Sequence, residues 1–190
     1  YNSSSSPTLT NCVFTENTAT SYYGGGMYNS SSSPKLTNCT FTANRASCGG
    51  GAYNSSSSSS TLTNCMFTNN TASYGGGMYN SSSSSTLTNC TFTKNTSYWE
   101  GGGLHNSSSS PTLINCMFTE NAANAGGGMY NASSAPMLTN CIFANNTTTN
   151  TSNMGEGGGI YNSSSSPTLI NCVFTDNAST YYGGGMYNGI

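Results

Sequence analysis

Eight cysteines, five carboxylates, three basic residues and one histidine are the groups of this 190-residue chain most capable of chemistry. Seven cysteines (Cys12, Cys39, Cys65, Cys90, Cys116, Cys141 and Cys172) each stand three residues after a leucine and two before a phenylalanine. No CxxC pair or Cys/His cluster of the kind that encloses zinc occurs, so no metal or other cofactor is implied. An oxidising compartment would permit disulfides. Side chains at one repeated position point the same way, however, which suits S–S geometry poorly, and a column of free buried thiols is expected. Cys48 stands apart, where other copies carry Tyr23, Tyr74 or Glu100. It reads as a half-buried spectator or as a crosslink to a neighbouring molecule.

The charged residues give little to catalysis. Glu16, Glu120 and Asp176 share one repeat position and form no pair within any copy. Glycoside hydrolysis requires two carboxylates across a groove, and lyase chemistry a base beside cations. Trp99, Glu100 and His105 lie close in sequence, but His105 merely occupies a place that is tyrosine elsewhere. The chain is therefore read as a non-enzyme.

Surface candidates are aromatic and hydroxylic. Tyr28, Tyr53, Tyr79, His105, Tyr130, Tyr161 and Tyr187 recur in phase and are expected as an outward contact column, able to pack on sugars or on another rod. A second group falls in a segment of variable length: Tyr22, Tyr23, Tyr74, Tyr98, Trp99, Tyr181 and Tyr182, with Cys48 among them. Variable segments on a fixed scaffold often carry binding. N-x-Ser/Thr sequons recur once per copy, making Asn29, Asn54, Asn80, Asn106, Asn131 and Asn162 candidate glycosylation sites, with the serine tracts as O-glycan candidates. Thr-x-Thr triplets such as Thr8-Leu9-Thr10 raise an ice-binding alternative, broken by Lys35, Ile114, Met137 and Ile170.

All these positions are fixed by one repeat, which dictates the architecture. The block Gly-Gly-Gly-Met-Tyr-Asn and the block Leu-Thr/Ile-Asn-Cys-x-Phe alternate along the whole chain. Successive copies are 25–27 residues apart, with one interval of 31. Leu9, Leu36 and Leu62 open the second block in the first three copies, Cys12, Cys39 and Cys65 follow, and Phe14, Phe41 and Phe67 come next. Nearly all length variation lies between the Asn after Phe and the next glycine triplet; Thr147–Glu156 is the longest such stretch.

Helices are excluded by the absence of i, i+3, i+4 apolar spacing and by the glycine, serine, threonine and asparagine runs. Alternation appears instead. Cys12 and Phe14 share one strand face with Val13 and Thr15 on the other, Leu9 points in between Thr8 and Thr10, and Met27 points in beside Tyr28. Pro7, Pro34, Pro111, Pro136 and Pro167 precede a strand, where the missing N–H is tolerated. Each turn reads as three short strands joined by Asn-rich and Ser-rich corners. Identical residues then stack into ladders, and a lone coil lacks the core to stand by itself.

Only 4% of residues are charged and the formal net charge is -2, so no field steers nucleic acid to this chain. An aromatic content of 11% and the fixed spacing oppose disorder. No apolar run is long enough to span a bilayer. The length suits one domain over residues 1–190, and an in-phase start and finish read as an excerpt of a longer repeat protein.

Gly24-Gly25-Gly26-Met27 and Phe14-Thr15-Glu16-Asn17, with every phenylalanine obeying FxxN, resemble the paired GGA[ILV] and FxxN motifs of polymorphic outer-membrane proteins, an autotransporter class of bacterial surface adhesins. The resemblance covers essentially the whole chain. It implies an all-β right-handed parallel β-helix of about seven coils outside the cell. The functional expectation is an extracellular rod or fibre segment that associates with its own kind, head to tail or laterally. The runner-up is a surface adhesin passenger that binds glycan or a cell surface; ice binding and polysaccharide chemistry are further alternatives.

Overall fold

The computed structural model describes residues 1–149 and 155–189. The middle of the 31-residue turn, residues 150–154, and Ile190 lie outside the described residues. The chain winds as an all-β parallel solenoid of about seven turns, in which each strand hydrogen-bonds the equivalent strands one turn before and after. No helix is present among the described residues that is long and apolar enough to cross a membrane.

Three sheets correspond to the two sequence blocks. An eight-stranded sheet carries the Met-Tyr-Asn segments, from Asn2–Ser3 through Met27–Ser30 to Met186–Gly189. A seven-stranded sheet carries the leucines, from Thr8–Thr10 to Thr168–Ile170, and another carries the phenylalanines, from Val13–Thr15 to Val173–Thr175. Register is unbroken in all three: Phe41 pairs with Phe14 and Phe67, and Leu62 with Leu36 and Leu87.

The turn holds a fourth strand that the three-strand reading omits. A six-stranded sheet runs through the variable corner, from Thr18–Tyr23 and Arg45–Cys48 to Thr147–Thr148. Its inward column is small (Ala19, Ala46, Ala72, Ser97, Ala123 and Thr148) because the glycine triplets pack close by. A Cβ on Gly76 would lie 2.5 Å from the carbonyl oxygens of both Gly102 and Thr96. Small facing small lets the two segments approach closely here.

Corners form where the backbone enters the left-handed region. One glycine per turn, Gly24 and its equivalents, has φ near +65°. Three other corners per turn are also left-handed but built from non-glycine residues, as at Ser31, Asn38 and Ala43. Asparagine tolerates this conformation better than most side chains, and it fills the middle corner in every turn.

The interior is a set of columns. Five Phe–Phe steps have centroids 4.7 Å apart with rings within 4° of parallel; only Phe143–Phe174, across the longest turn, opens to 5.1 Å. Leucine, cysteine and Met27-type columns complete the apolar core. Two buried asparagine columns line its edge. In the FxxN column, Asn70 Nδ2 donates to Asn95 Oδ1 at 2.9 Å and to the Phe41 carbonyl at 2.9 Å, while the Asn70 backbone N–H donates to Asn95 Oδ1 at 3.0 Å. Each interior amide of the FxxN column thus uses both of its N–H groups within the protein.

Phe92→Ala, in the middle of the aromatic column, is expected to cost about 3–5 kcal/mol. Met117→Thr on the outer face of the same sheet is expected to stay within about 0.5 kcal/mol. Urea-unfolding midpoints followed by circular dichroism measure both.

Candidate functional site: the tyrosine ladder and the variable corner

Alternation in the Met-Tyr-Asn sheet turns the tyrosine column away from the apolar core. The rings stack along the rod: Tyr28–Tyr53 at 5.3 Å, Tyr53–Tyr79 at 5.2 Å, Tyr79–His105 at 4.4 Å, His105–Tyr130 at 5.0 Å, Tyr130–Tyr161 at 4.9 Å and Tyr161–Tyr187 at 5.2 Å. The column is not the open contact face expected from alternation. Tyr53 and His105 keep only 8% and 3% of their surface, and the other rungs are half-buried. The left-handed Gly24 and its equivalents fold the corner strand back alongside, so Tyr23 stacks on Tyr53 at 4.5 Å and lies 5.9 Å from Tyr28. Burial pushes the Tyr53 phenol up to about 12.

The covering column differs at almost every turn. Bridges and pairings align Tyr23, Cys48, Tyr74, Glu100, Ala125, Glu156 and Tyr182. Cys48 is half-buried within it, and desolvation pushes its thiol up to about 11, leaving little reactive thiolate at neutral pH. Glu100 and Glu156 flank Ala125, and with Tyr130 and Tyr161 they line a notch of about 230 Å³. A search for carboxylates within single turns misses this pair, because its members come from turns two apart; alignment of the corner column is the signal that finds it.

His105 adjoins two residues of that notch, Tyr130 and Glu100. Its Nδ1 is buried without a hydrogen-bond partner, 3.8 Å from Glu100 Oε2. Burial lowers the imidazole to about 3, against a smaller upward pull from the Glu100 backbone. Glu100 is raised by its own burial, partly offset by a hydrogen bond with Tyr130. At neutral pH the imidazole is therefore uncharged, and no ion pair forms.

Beyond the covering column the corner is exposed. Tyr22 and Tyr98 keep 73% and 65% of their surface, Trp99 and Tyr182 are also exposed, and Tyr98 meets Trp99 edge to face at 4.6 Å. Tyr74 is half-buried. A groove of about 590 Å³ runs over the corner sheet beside Tyr98, with Arg45, Ser73, Thr96 and Asn124 in its lining. A smaller depression lined by Thr18, Thr20 and Ser47 shares Arg45 with it. Arg45 was not among the residues singled out by sequence.

The sequon asparagines are placed against the glycosylation expectation. Asn29, Asn54, Asn80, Asn106, Asn131 and Asn162 are all buried. Each Nδ2, the atom a glycan would need, donates to the Oδ1 one turn on, at 2.8–3.0 Å. A glycan there would break the ladder and force a sugar into the wall. The serine tracts alternate: Ser32, Ser58, Ser83, Ser109 and Ser134 face inward, whereas Ser33, Ser59, Ser84 and Ser110 are exposed.

The family model described as "Right handed beta helix region" matches residues 1–121 and again residues 76–189. No curated protein matches the sequence.

The imidazole generates a pH signature. Between about 3 and 6.5 the unfolded chain takes up a proton that folded His105 refuses, so its contribution to stability is complete above 6.5 and falls as the pH drops through that window. Glu100, raised, acts in the opposite sense, weakening the fold as pH rises through its own titration. His105→Tyr is expected to recover on the order of 2–3 kcal/mol of the loss between pH 7 and pH 4, measured by urea unfolding at both values.

Proposed function

The chain belongs to the right-handed β-helix family, and from that premise we propose that it is an extracellular structural rod that associates end to end with its own kind. The observation that carries this reading is the polarity of its buried amide ladders. In the column from Asn2 to Asn188, every Nδ2 donates toward the C-terminal neighbour. The FxxN column runs in the same sense. The exposed column from Asn11 to Asn171 runs the opposite way, each Nδ2 donating toward its N-terminal neighbour, so every ladder has a direction and two rods continue all three only head to tail. Parallel strands with unpaired edges favour the same addition. The scarcity of charge removes long-range repulsion between rods. Placement outside the cell rests on the motif resemblance to surface passengers.

A surface-adhesin reading is favoured by one separate observation, the corner groove. Hydroxyls, an amide and the Arg45 guanidinium beside the exposed Tyr98 ring offer the mixture of hydrogen bonds and aromatic surface that suits a glycan.

Negative-stain electron microscopy over a concentration series distinguishes the two. Unbranched filaments one rod wide that lengthen with concentration are expected. A chain that stays monomeric throughout, yet is retained by a glycan array and released by Arg45→Ala or Tyr98→Ala, overturns the rod in favour of the adhesin.

A further inference from the structure

We propose that the buried cysteine column is a binding site for a soft cation that takes two sulfurs in a straight line, with Hg²⁺ the ion whose charge it fits. The site is distinct from the tyrosine ladder and from the corner groove. Among its seven thiols, Cys39, Cys65, Cys90, Cys116 and Cys141 keep 1% or less of their surface, and Cys12 and Cys172 are half-buried. All are free.

The sulfurs are held in one repeated pose. Each Sγ–H lies 3.4–3.5 Å from the carbonyl two residues earlier. From Cys39 onward, each is also 3.6–3.7 Å from the leucine carbonyl of the preceding turn. Identical contacts at every turn mean that the sulfurs are related by the same axial step as the backbone. The neighbouring phenylalanine rings measure that step at 4.7 Å. Two collinear metal–sulfur bonds of about 2.3 Å span about 4.6 Å, so an ion fits between adjacent sulfurs without moving a coil.

Charge selects the ion. Two thiols and one divalent cation give a neutral bis-thiolate: two S–H bonds break, two metal–sulfur bonds form, and two protons leave to solvent. The dry core ends as uncharged as it began, and the desolvation penalty of a buried ion is avoided. A monovalent ion reaches neutrality there only if one sulfur of each pair stays a protonated thiol or is shared with the next ion, so the divalent ion alone uses both sulfurs of a separate pair as thiolates. Ions that demand a tetrahedral cage find no group of three or more His, Cys, Asp or Glu among the described residues. Seven thiols pair into three sites.

The test holds thiol number constant and changes only adjacency. In a Cys48→Ser parent, Cys39→Ser/Cys90→Ser/Cys141→Ser leaves Cys12, Cys65, Cys116 and Cys172, none of them in adjacent turns. Cys12→Ser/Cys141→Ser/Cys172→Ser also leaves four thiols, but they form an unbroken run from Cys39 to Cys116. Each protein is refolded with HgCl₂, washed with glutathione and weighed by native mass spectrometry. Three ions are expected in the parent, two in the contiguous variant and none in the alternating one. Equal retention by the two variants, or none by the parent, overturns the proposal. X-ray absorption of the parent decides independently of whether the variants fold: two sulfur neighbours at about 2.3 Å are expected, and three or four overturn the linear site.

Discussion

Everything in this molecule follows from one translation. Parallel strands bonded turn to turn fix the axial step near 4.7 Å, and a sequence repeated in phase then places each side chain on its own copy. A residue is tolerated only if it is attractive to itself at that distance. Phenylalanine and leucine meet the condition by dispersion, and asparagine by an amide that both donates and accepts. Charge fails it: two like charges 4.8 Å apart repel by about 3–4 kcal/mol at an effective dielectric of 20. The 4% charged content is thus a consequence of stacking. Where charges do meet in one column, Lys94 and Glu120, their signs are opposite and they lie 3.6 Å apart.

Self-attraction also explains why the two buried asparagine ladders matter more than their number suggests. A buried amide has four hydrogen-bonding sites, and any left empty costs free energy. The FxxN asparagine fills them by spanning three turns: it accepts from the turn before, donates to the turn after, and donates back to a phenylalanine carbonyl. Removing the neighbour on either side leaves the amide unsatisfied. The coil is therefore a cooperative unit only as part of a stack, whatever its own composition.

The columns were legible in sequence because spacing alone determines them. From Leu9 to Asn17 each turn keeps the same count, so pairing Phe14 with Phe41 requires no knowledge of the corners. What spacing does not encode is the third dimension of a turn. The left-handed Gly24 carries Tyr23 over Tyr28, and nothing in the order of residues says that the two touch. The fourth strand was hidden by its own content, since Thr18-Ala19 and Arg45-Ala46 are too short and too mixed to read as a buried segment. Asn29 carried two meanings in one triplet, sequon and ladder rung; burial separates them, because the same Nδ2 cannot both feed the next amide and bear a sugar.

The corner column breaks the rule of self-attraction, and that is why recognition belongs there. A column of identical residues presents the same surface at every step, so a partner bound to it slides from one turn to the next at no cost. Tyr23, Cys48, Tyr74, Glu100, Ala125, Glu156 and Tyr182 give every two adjacent turns unlike residues, and the exposed Tyr22, Tyr98 and Trp99 set individual turns apart. The same corner absorbs the changes in turn length, and among the described residues register shifts fall in its sheet alone. Periodicity builds the rod, and a partner that distinguishes one turn from another must read the column in which periodicity is lost.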